Sequence, residues 1–148
     1  MIPYRLKLKF PIAPFVKQST RFGKGRAYKD PKIKALEEKI QLMFLEIKPR
    51  GFQMFTGPIR ITKAEYRFRL PKSAKAEWRK AVESGRLVLK ATRPDLTDNL
   101  FKGVIDALSG LVFQDDSQIV EMCHVRKVYA AEPAIILEFE VVHNMIVD

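Results

Sequence analysis

The amino-acid sequence predicts an α+β fold, a mixed or mainly antiparallel β-sheet with helices packed on one face. Three patterns carry this expectation. Apolar and polar residues alternate with period two near the start, capped amphipathic stretches follow, and β-branched runs separated by a turn close the chain. No internal repeat, low-complexity tract or linker interrupts the 148 residues, so residues 1–148 read as a single domain long enough to bury a core.

Each element has its own signal. Tyr4, Leu6, Leu8 and Phe10 alternate with Arg5, Lys7 and Lys9, which predicts a strand with one wet, basic face. Residues 11–29 mix prolines, glycines and basic residues with Phe15, Phe22 and Tyr28, and read as a mobile basic loop. Asp30 then offers a cap and Pro31 a first turn to a helix whose apolar stripe is Ile33, Leu36, Ile40, Met43, Phe44 and Ile47. Beyond Gly51 and Gly57, Ile59 and Ile61 alternate, then Tyr66, Phe68 and Leu70. The change of phase near residues 63–65 predicts a bulge. Pro71 and Ser73 open a short charged helix carrying Trp78 and Val82 and closed by Gly85, which reads as a surface insertion. Residues 87–89 suit a short strand. Thr97 is a good N-cap for a helix with Leu100, Phe101, Val104, Ile105 and Leu108 on one face and Gly110 past its end. Residues 111–113 read as extended and 114–118 as a turn. Residues 119–129 and 135–142 read as strands split at Glu132 and Pro133.

Composition narrows the partners. A formal net charge of +10 points first to nucleic acid, then to an anionic membrane surface, then to a role as a basic assembly protein. No apolar run approaches the roughly 20 residues needed to span a bilayer, and the N-terminus alternates instead of forming a signal core, so the expected location is cytoplasmic. Cys123 is alone and cannot form an internal disulfide; its apolar neighbours predict a buried, unreactive thiol.

One region inverts the charge. Residues 94–123 hold six acids, Asp95, Asp98, Asp106, Asp115, Asp116 and Glu121, against the single base Lys102. A basic protein gathers anionic ligands, and carboxylates would repel such a ligand unless a divalent cation stood between them. Asp98 and Lys102 are a turn apart on one helix face, and a helix followed by a hairpin return could bring the turn at Asp115 and Asp116 back beside Asp95 and Asp98. Hard oxygen ligands of this kind suit Mg²⁺ or Mn²⁺ and metal-assisted chemistry on a phosphodiester. Each acid also has an ordinary role: Asp98 complements a helix N-terminus, Asp95 beside Pro94 suits a turn, Asp115 and Asp116 suit a solvated turn, and Asp106 can pair with Lys102. Other chemistries lack their patterns. No calcium-binding loop, GxxxxGK[ST], HExxH or nucleophile elbow occurs, and His124 and His143 read as strand-face residues far from any cysteine pair.

The run RPDLTDNLFKGVIDAL followed by VFQDDSQIVE resembles the RusA family of Holliday junction resolvases, endodeoxyribonucleases of bacteria, prophages and phages. In that family a DxDNLxK segment opens a helix, a DALxG-like end follows, and a DDxQV segment lies on the next hairpin. The match is continuous over residues 93–121 and looser upstream. Carried over, the resemblance places the metal-binding acids on Asp95, Asp98 and Asp116, the motif asparagine on Asn99 and the essential lysine on Lys102, with Asp115 beside the third acid. One departure stands out: two residues separate Asp95 from Asp98 where the family has one, the extra being most simply Thr97.

The resemblance implies a RusA-like endonuclease domain and a homodimer that binds a four-way DNA junction and nicks two opposed strands with Mg²⁺ or Mn²⁺, in DNA recombination and repair. Asp95, Asp98 and Asp116 would hold metal and Lys102 would stabilise charge on the phosphate. The first 30 residues carry eight Lys or Arg against one acid, so Lys17, Arg21, Lys24, Arg26 and Lys29 are candidate DNA-backbone contacts and Phe15, Phe22 or Tyr28 candidate stacking residues; the alternative for this segment is a solvated basic face with the aromatics tucked into the core. The alternative is a catalytically decayed module that binds branched DNA without cutting it.

Overall fold

The computed structural model describes residues 4–16, 21–23, 26–28 and 30–146, with the side chains of residues 21–23, 26–28, 98 and 99 outside the description. The first strand, β1 (Arg5–Phe10), is the alternating segment, with Leu6, Leu8 and Phe10 inward. Residues 11–29 are more than a loop, because Arg21–Gly23 (β2) and Arg26–Tyr28 (β3) pair as a small antiparallel hairpin. Helix α1 (Pro31–Ile47) starts as its sequence predicts: the Asp30 carboxylate accepts a 2.8 Å hydrogen bond from the Lys32 N–H, and Pro31 fills the first turn, where no amide donor is needed.

The long strand β4 (Ile59–Arg69) organises the sheet. It runs antiparallel to β8 (Ala134–Val141) and parallel to both β6 (Ile119–Met122) and β7 (Val125–Ala130), so the sheet is mixed. The strand order is β1-β8-β4-β7-β5, where β5 is Val88–Leu89 and β6 pairs with β4 just ahead of β7. The phase change in β4 is a register slip between Ile61 and Lys63, which lets Ile59, Ile61, Ala64 and Tyr66 all lie in the core. Residues 119–129, read as one strand, break in two at Cys123 and His124, where His124 adopts a φ of 50°. His124 and His143 are therefore exposed residues outside the strands, and Cys123 is half-buried with its Sγ 3.8 Å from Glu121 Oε1, not sealed in a core.

Helices α1 and α3 (Phe101–Leu108) cover one face of the sheet. Ile40 and Phe44 from α1, Leu100, Val104, Ile105 and Leu108 from the α3 segment, and Leu6, Phe10, Tyr66, Leu137 and Phe139 from the sheet form one buried cluster. Each large apolar side chain so buried stabilises the fold by about 1.5–3 kcal/mol. The opposite face carries ion pairs instead. Glu140 accepts from Arg5 at 2.7 Å and Arg60 at 3.1 Å, and the fully buried Glu65 accepts from Arg67 and Arg126, each at 2.6 Å. Helix α2 (Ala76–Glu83) starts five residues later than Pro71 and lies on the surface, as expected, joined to the sheet where Trp78 stacks on Tyr129 of β7 at 5.9 Å.

Candidate functional site

The first acidic motif enters through a loop that β7 holds from below. The Lys127 ammonium donates to the carbonyls of Thr92 (2.6 Å) and Pro94 (2.8 Å), the latter belonging to the peptide that leads into Asp95. Lys90 braces the same loop: its backbone N–H donates to the Lys127 carbonyl, and its ammonium donates to Thr92 Oγ1 at 2.8 Å and to the Tyr129 hydroxyl at 3.2 Å. That ammonium also lies 4.9 Å from the Tyr129 ring centre and 5.1 Å from that of Phe68, a favourable cation–π arrangement. The hydrogen bond with Thr92, the Lys90 contact and the charges of Lys90 and Lys127 hold the Tyr129 phenol below its ordinary pKa, outweighing burial. None of these basic residues was singled out by sequence reasoning. Lys127 left one trace, a lysine in the same register as core Tyr66 on the neighbouring strand.

Between that loop and α3 lies a π-turn, Leu96–Leu100, with Asp95 at its N-terminal cap. Thr97 is not the cap; it sits inside the turn. The Leu100 N–H donates to the Asp95 carbonyl at 3.4 Å, a closure one residue wider than that of an α-helix. Two anchors explain the widening. Leu100 is fully buried in the core and Pro94 is held by Lys127, so the additional residue must be taken up between them. Asp98 and Asn99 lie in this turn; their side chains are outside the described residues. Lys102 follows, exposed in the first turn of α3.

The chain then reverses. Helix α3 ends at Ser109, Gly110 takes the left-handed φ of +88° that closes the turn, and the Leu111 and Val112 N–H groups bond back to the Leu108 carbonyl. Residues 111–113, expected to be extended, form this turn, pinned where the Phe55 N–H donates to the Val112 carbonyl at 2.9 Å. The helix thus runs from the Lys127 end of β7 toward Phe55, and the chain returns alongside the start of β4, where Ile119 pairs with Ile59. The two acidic motifs occupy these opposed legs.

On the return leg Asp115 and Asp116 have separate duties. The Asp115 carboxylate accepts from the Ser117 hydroxyl and from its N–H at 3.2 Å, bonds that hold its pKa below the usual range. It caps a 3₁₀ turn, Asp116–Gln118. Gln118 completes a capping box and ties the turn down: its Oε1 accepts from the N–H groups of Gln114 (2.8 Å) and Asp115 (3.0 Å), while its Nε2 donates to the carbonyls of Phe55 and Gly57, both at 2.9 Å. The Asp-x-x-Gln spacing was the signal that could have marked Gln118. Asp116 is exposed, and neither it nor Asp95 is hydrogen-bonded or ion-paired through its carboxylate to any described residue.

The hydrogen bonds anchor the two acids apart, Asp95 through Pro94 at Lys127 of β7 and Asp116 through Gln118 at Phe55 and Gly57 ahead of β4, so the described residues do not by themselves gather them; their hard carboxylate oxygens are the donor type that Mg²⁺ or Mn²⁺ takes. Among the described side chains no three Asp, Glu, His or Cys are already gathered as a cage, so a three-acid centre requires Asp98. Of the proposed DNA contacts, Lys17, Lys24 and Lys29 lie outside the described residues, and Arg21 and Arg26 are placed on the β2–β3 hairpin by backbone alone. Phe15 is corrected: it is 9% exposed, packs against Gly103 of α3 and belongs to the core, so it cannot stack on DNA.

Comparison with known proteins agrees with the motifs. The family described as endodeoxyribonuclease RusA matches residues 11–140. An uncharacterized protein of Bacillus subtilis (strain 168), YqaN, is 34% identical over 118 residues, which cover 79% of this chain and 80% of that protein. The match takes in both acidic legs, the core helices and every strand of the main sheet except β1, and the chain therefore belongs to the RusA family of endodeoxyribonucleases.

Proposed function

We propose that the protein is a Mg²⁺- or Mn²⁺-dependent endonuclease that resolves four-way DNA junctions in recombination and repair, acting as a homodimer in the cytoplasm of a bacterial or phage-infected cell. What supports the reading is the family match over residues 11–140, which spans Asp95, Asp98, Lys102 and Asp116, with Asp95 and Asp116 exposed and their carboxylates bonded to no described residue. Asp95, Asp98 and Asp116 would hold the ion, which when bound supplies an acidified water and neutralises phosphate charge. Lys102, exposed one helical turn beyond Asp98, would stabilise the charge that grows on the scissile phosphate. Lys127 anchors the loop leading into Asp95 to β7, and Gln118 anchors the turn bearing Asp116 to the Phe55 and Gly57 carbonyls. Asp115 serves as a cap. The basic residues Lys17, Arg21, Lys24, Arg26 and Lys29 hold the DNA backbone.

The test is cleavage of a synthetic four-way junction beside linear duplex, with and without Mg²⁺, by the wild type and by Asp98→Asn and Lys102→Ala. We expect metal-dependent nicking of the junction and a loss of at least about a hundredfold in each variant. Near-normal turnover in both variants removes the mechanism. Junction binding by the wild type without metal-dependent nicking favours the decayed-module reading instead.

A further inference from the structure

Beside the second acidic leg lies a cavity of about 410 Å³ that the proposed chemistry does not use. Its walls include Tyr4, Arg50, Phe52, Met54, Phe55 and Val141. The inner rings are braced edge to face: Phe52 meets Phe44 at 5.7 Å and Phe55 at 5.4 Å, with interplanar angles of 89° and 90°. Tyr4 completes the cluster from outside, 6.0 Å from Phe55 and 6.5 Å from Phe52, yet its side remains 46% open to solvent, as does 37% of Met54. Arg50 is exposed and has no ion pair among the described residues. Backbone bonds tie two walls of the cavity together: the Val141 N–H donates to the Tyr4 carbonyl at 3.1 Å and the Val142 N–H to the Pro58 carbonyl at 3.0 Å.

We propose that this cavity is a base-binding subsite, which seats one unstacked nucleobase of the strand being cut, against Tyr4, with Arg50 on a neighbouring phosphate. The inference rests on the nuclease reading for the identity of that strand. Three observations select this occupant. The Gln118 carboxamide bonds the Phe55 and Gly57 carbonyls of the cavity wall and also the amides of Gln114 and Asp115, so the cavity and the turn bearing Asp116 are one joined unit. An open aromatic ring beside an arginine is the pairing that takes a flat π-system and its phosphate. The volume lies at the low end of the ~300–1,000 Å³ range of small-ligand sites, room for a single base and too little for a helix or a duplex.

The experiment scans 2-aminopurine, and separately an abasic nucleotide, through the positions around the branch point and the mapped cut, using wild type, Tyr4→Ala and Tyr4→Phe. Binding is read in an Asp98→Asn background and cutting in the active protein. At one position 2-aminopurine fluorescence should be quenched on binding, and an abasic nucleotide there should slow wild-type cleavage roughly tenfold, the scale of one base–aromatic stack. Tyr4→Ala should lose both the quenching and the tenfold rate, with no added effect of the abasic nucleotide; Tyr4→Phe should restore both. Equal quenching and equal rates in wild type and Tyr4→Ala overturn the proposal while leaving the nuclease reading intact. If the wild type cuts nothing, the quenching comparison still decides the subsite. If Tyr4→Ala does not fold, Met54→Ala and Arg50→Ala carry the same comparison.

Discussion

Lys127→Met asks whether the clamp beneath the first motif holds a metal ligand in place. The wild-type ammonium makes two hydrogen bonds, at 2.6 Å to the Thr92 carbonyl and 2.8 Å to the Pro94 carbonyl. Hydrogen bonds to a charged group contribute about 1.5–3 kcal/mol each, and water recovers part of this at the exposed Thr92 end, leaving about 2–3 kcal/mol of loop ordering at stake. A competing effect has the opposite sign. Were an ion to sit about 10 Å away in a water-rich site, removing one positive charge would strengthen its binding by about 1 kcal/mol. The clamp should win by about 1–2 kcal/mol, so the Mg²⁺ concentration giving half-maximal junction cleavage should rise roughly 5- to 30-fold. The assay is single-turnover cleavage across a Mg²⁺ series, with thermal unfolding as a control and Lys127→Arg expected to fall between. A midpoint that stays put or moves to lower Mg²⁺ would refute the reasoning, since it would leave only the charge effect.

Three further outcomes follow from the fold. Burial pushes the Glu65 carboxyl upward, but the hydrogen bonds and charges of Arg67 and Arg126 outweigh it and hold the pKa below its ordinary value. The stability it contributes is therefore complete above the unfolded-state pKa of ~4.3 and is lost as pH falls through the lower folded value. Glu65→Gln should cost about 2–3 kcal/mol at pH 7, under the usual range for a broken buried pair because both arginines reach solvent, and the penalty should shrink in acid melts; a constant penalty would contradict the assignment. Tyr66 is fully buried, and its hydroxyl has no hydrogen-bond partner among the described residues, so Tyr66→Phe should stabilise by about 1 kcal/mol. A loss of that size in thermal unfolding would mean the hydroxyl is satisfied. Gly103→Ala would set a Cβ 2.9 Å from Phe15 Cε2 and 3.2 Å from Cδ2, so overpacking should outweigh the better helix propensity by about 1 kcal/mol. Phe15→Leu should then rescue Gly103→Ala more than it affects the wild type, and additive effects would argue against the contact.

What was legible in the sequence was local. Asp98, Asn99 and Lys102 sit in one motif, and the Asp30 cap, the β4 slip and the closing strands follow from patterns a few residues long. The supports of the site are not local: Lys127 reaches back 35 and 33 residues to Thr92 and Pro94, and Gln118 reaches 63 and 61 residues to Phe55 and Gly57. No periodicity encodes such contacts. The hairpin of β2 and β3 was hidden because each strand has three residues and the surrounding glycines read as loop. The break at Cys123 and His124 was hidden for the opposite reason, because residues 119–129 contain no Gly, Pro, Asn or Asp to mark a turn. Phe15 stays open in sequence, between stacking on DNA and the core, because basic residues surround it; its ring in fact fills the space that Gly103 leaves on α3.

The extra residue in the first motif is the main sequence argument for a decayed site, and the backbone weakens it. In an unbroken α-helix one additional residue would rotate everything before it by about 100° and shift it by about 1.5 Å, turning Asp95 away from the side on which Asp98 and Lys102 begin the helix. A π-turn takes one more residue into a single revolution, so the segments on either side keep nearly their former phase. The conditions for that are met at both ends here: Leu100 is locked in the core, and the Pro94 carbonyl is locked by Lys127. An insertion caught between two such anchors has to bulge where it stands, within Leu96–Leu100, instead of propagating into the Asp95 loop or down α3. Lys127, through its bonds to the Thr92 and Pro94 carbonyls, fixes the backbone that leads into Asp95, so the extra residue does not by itself displace Asp95.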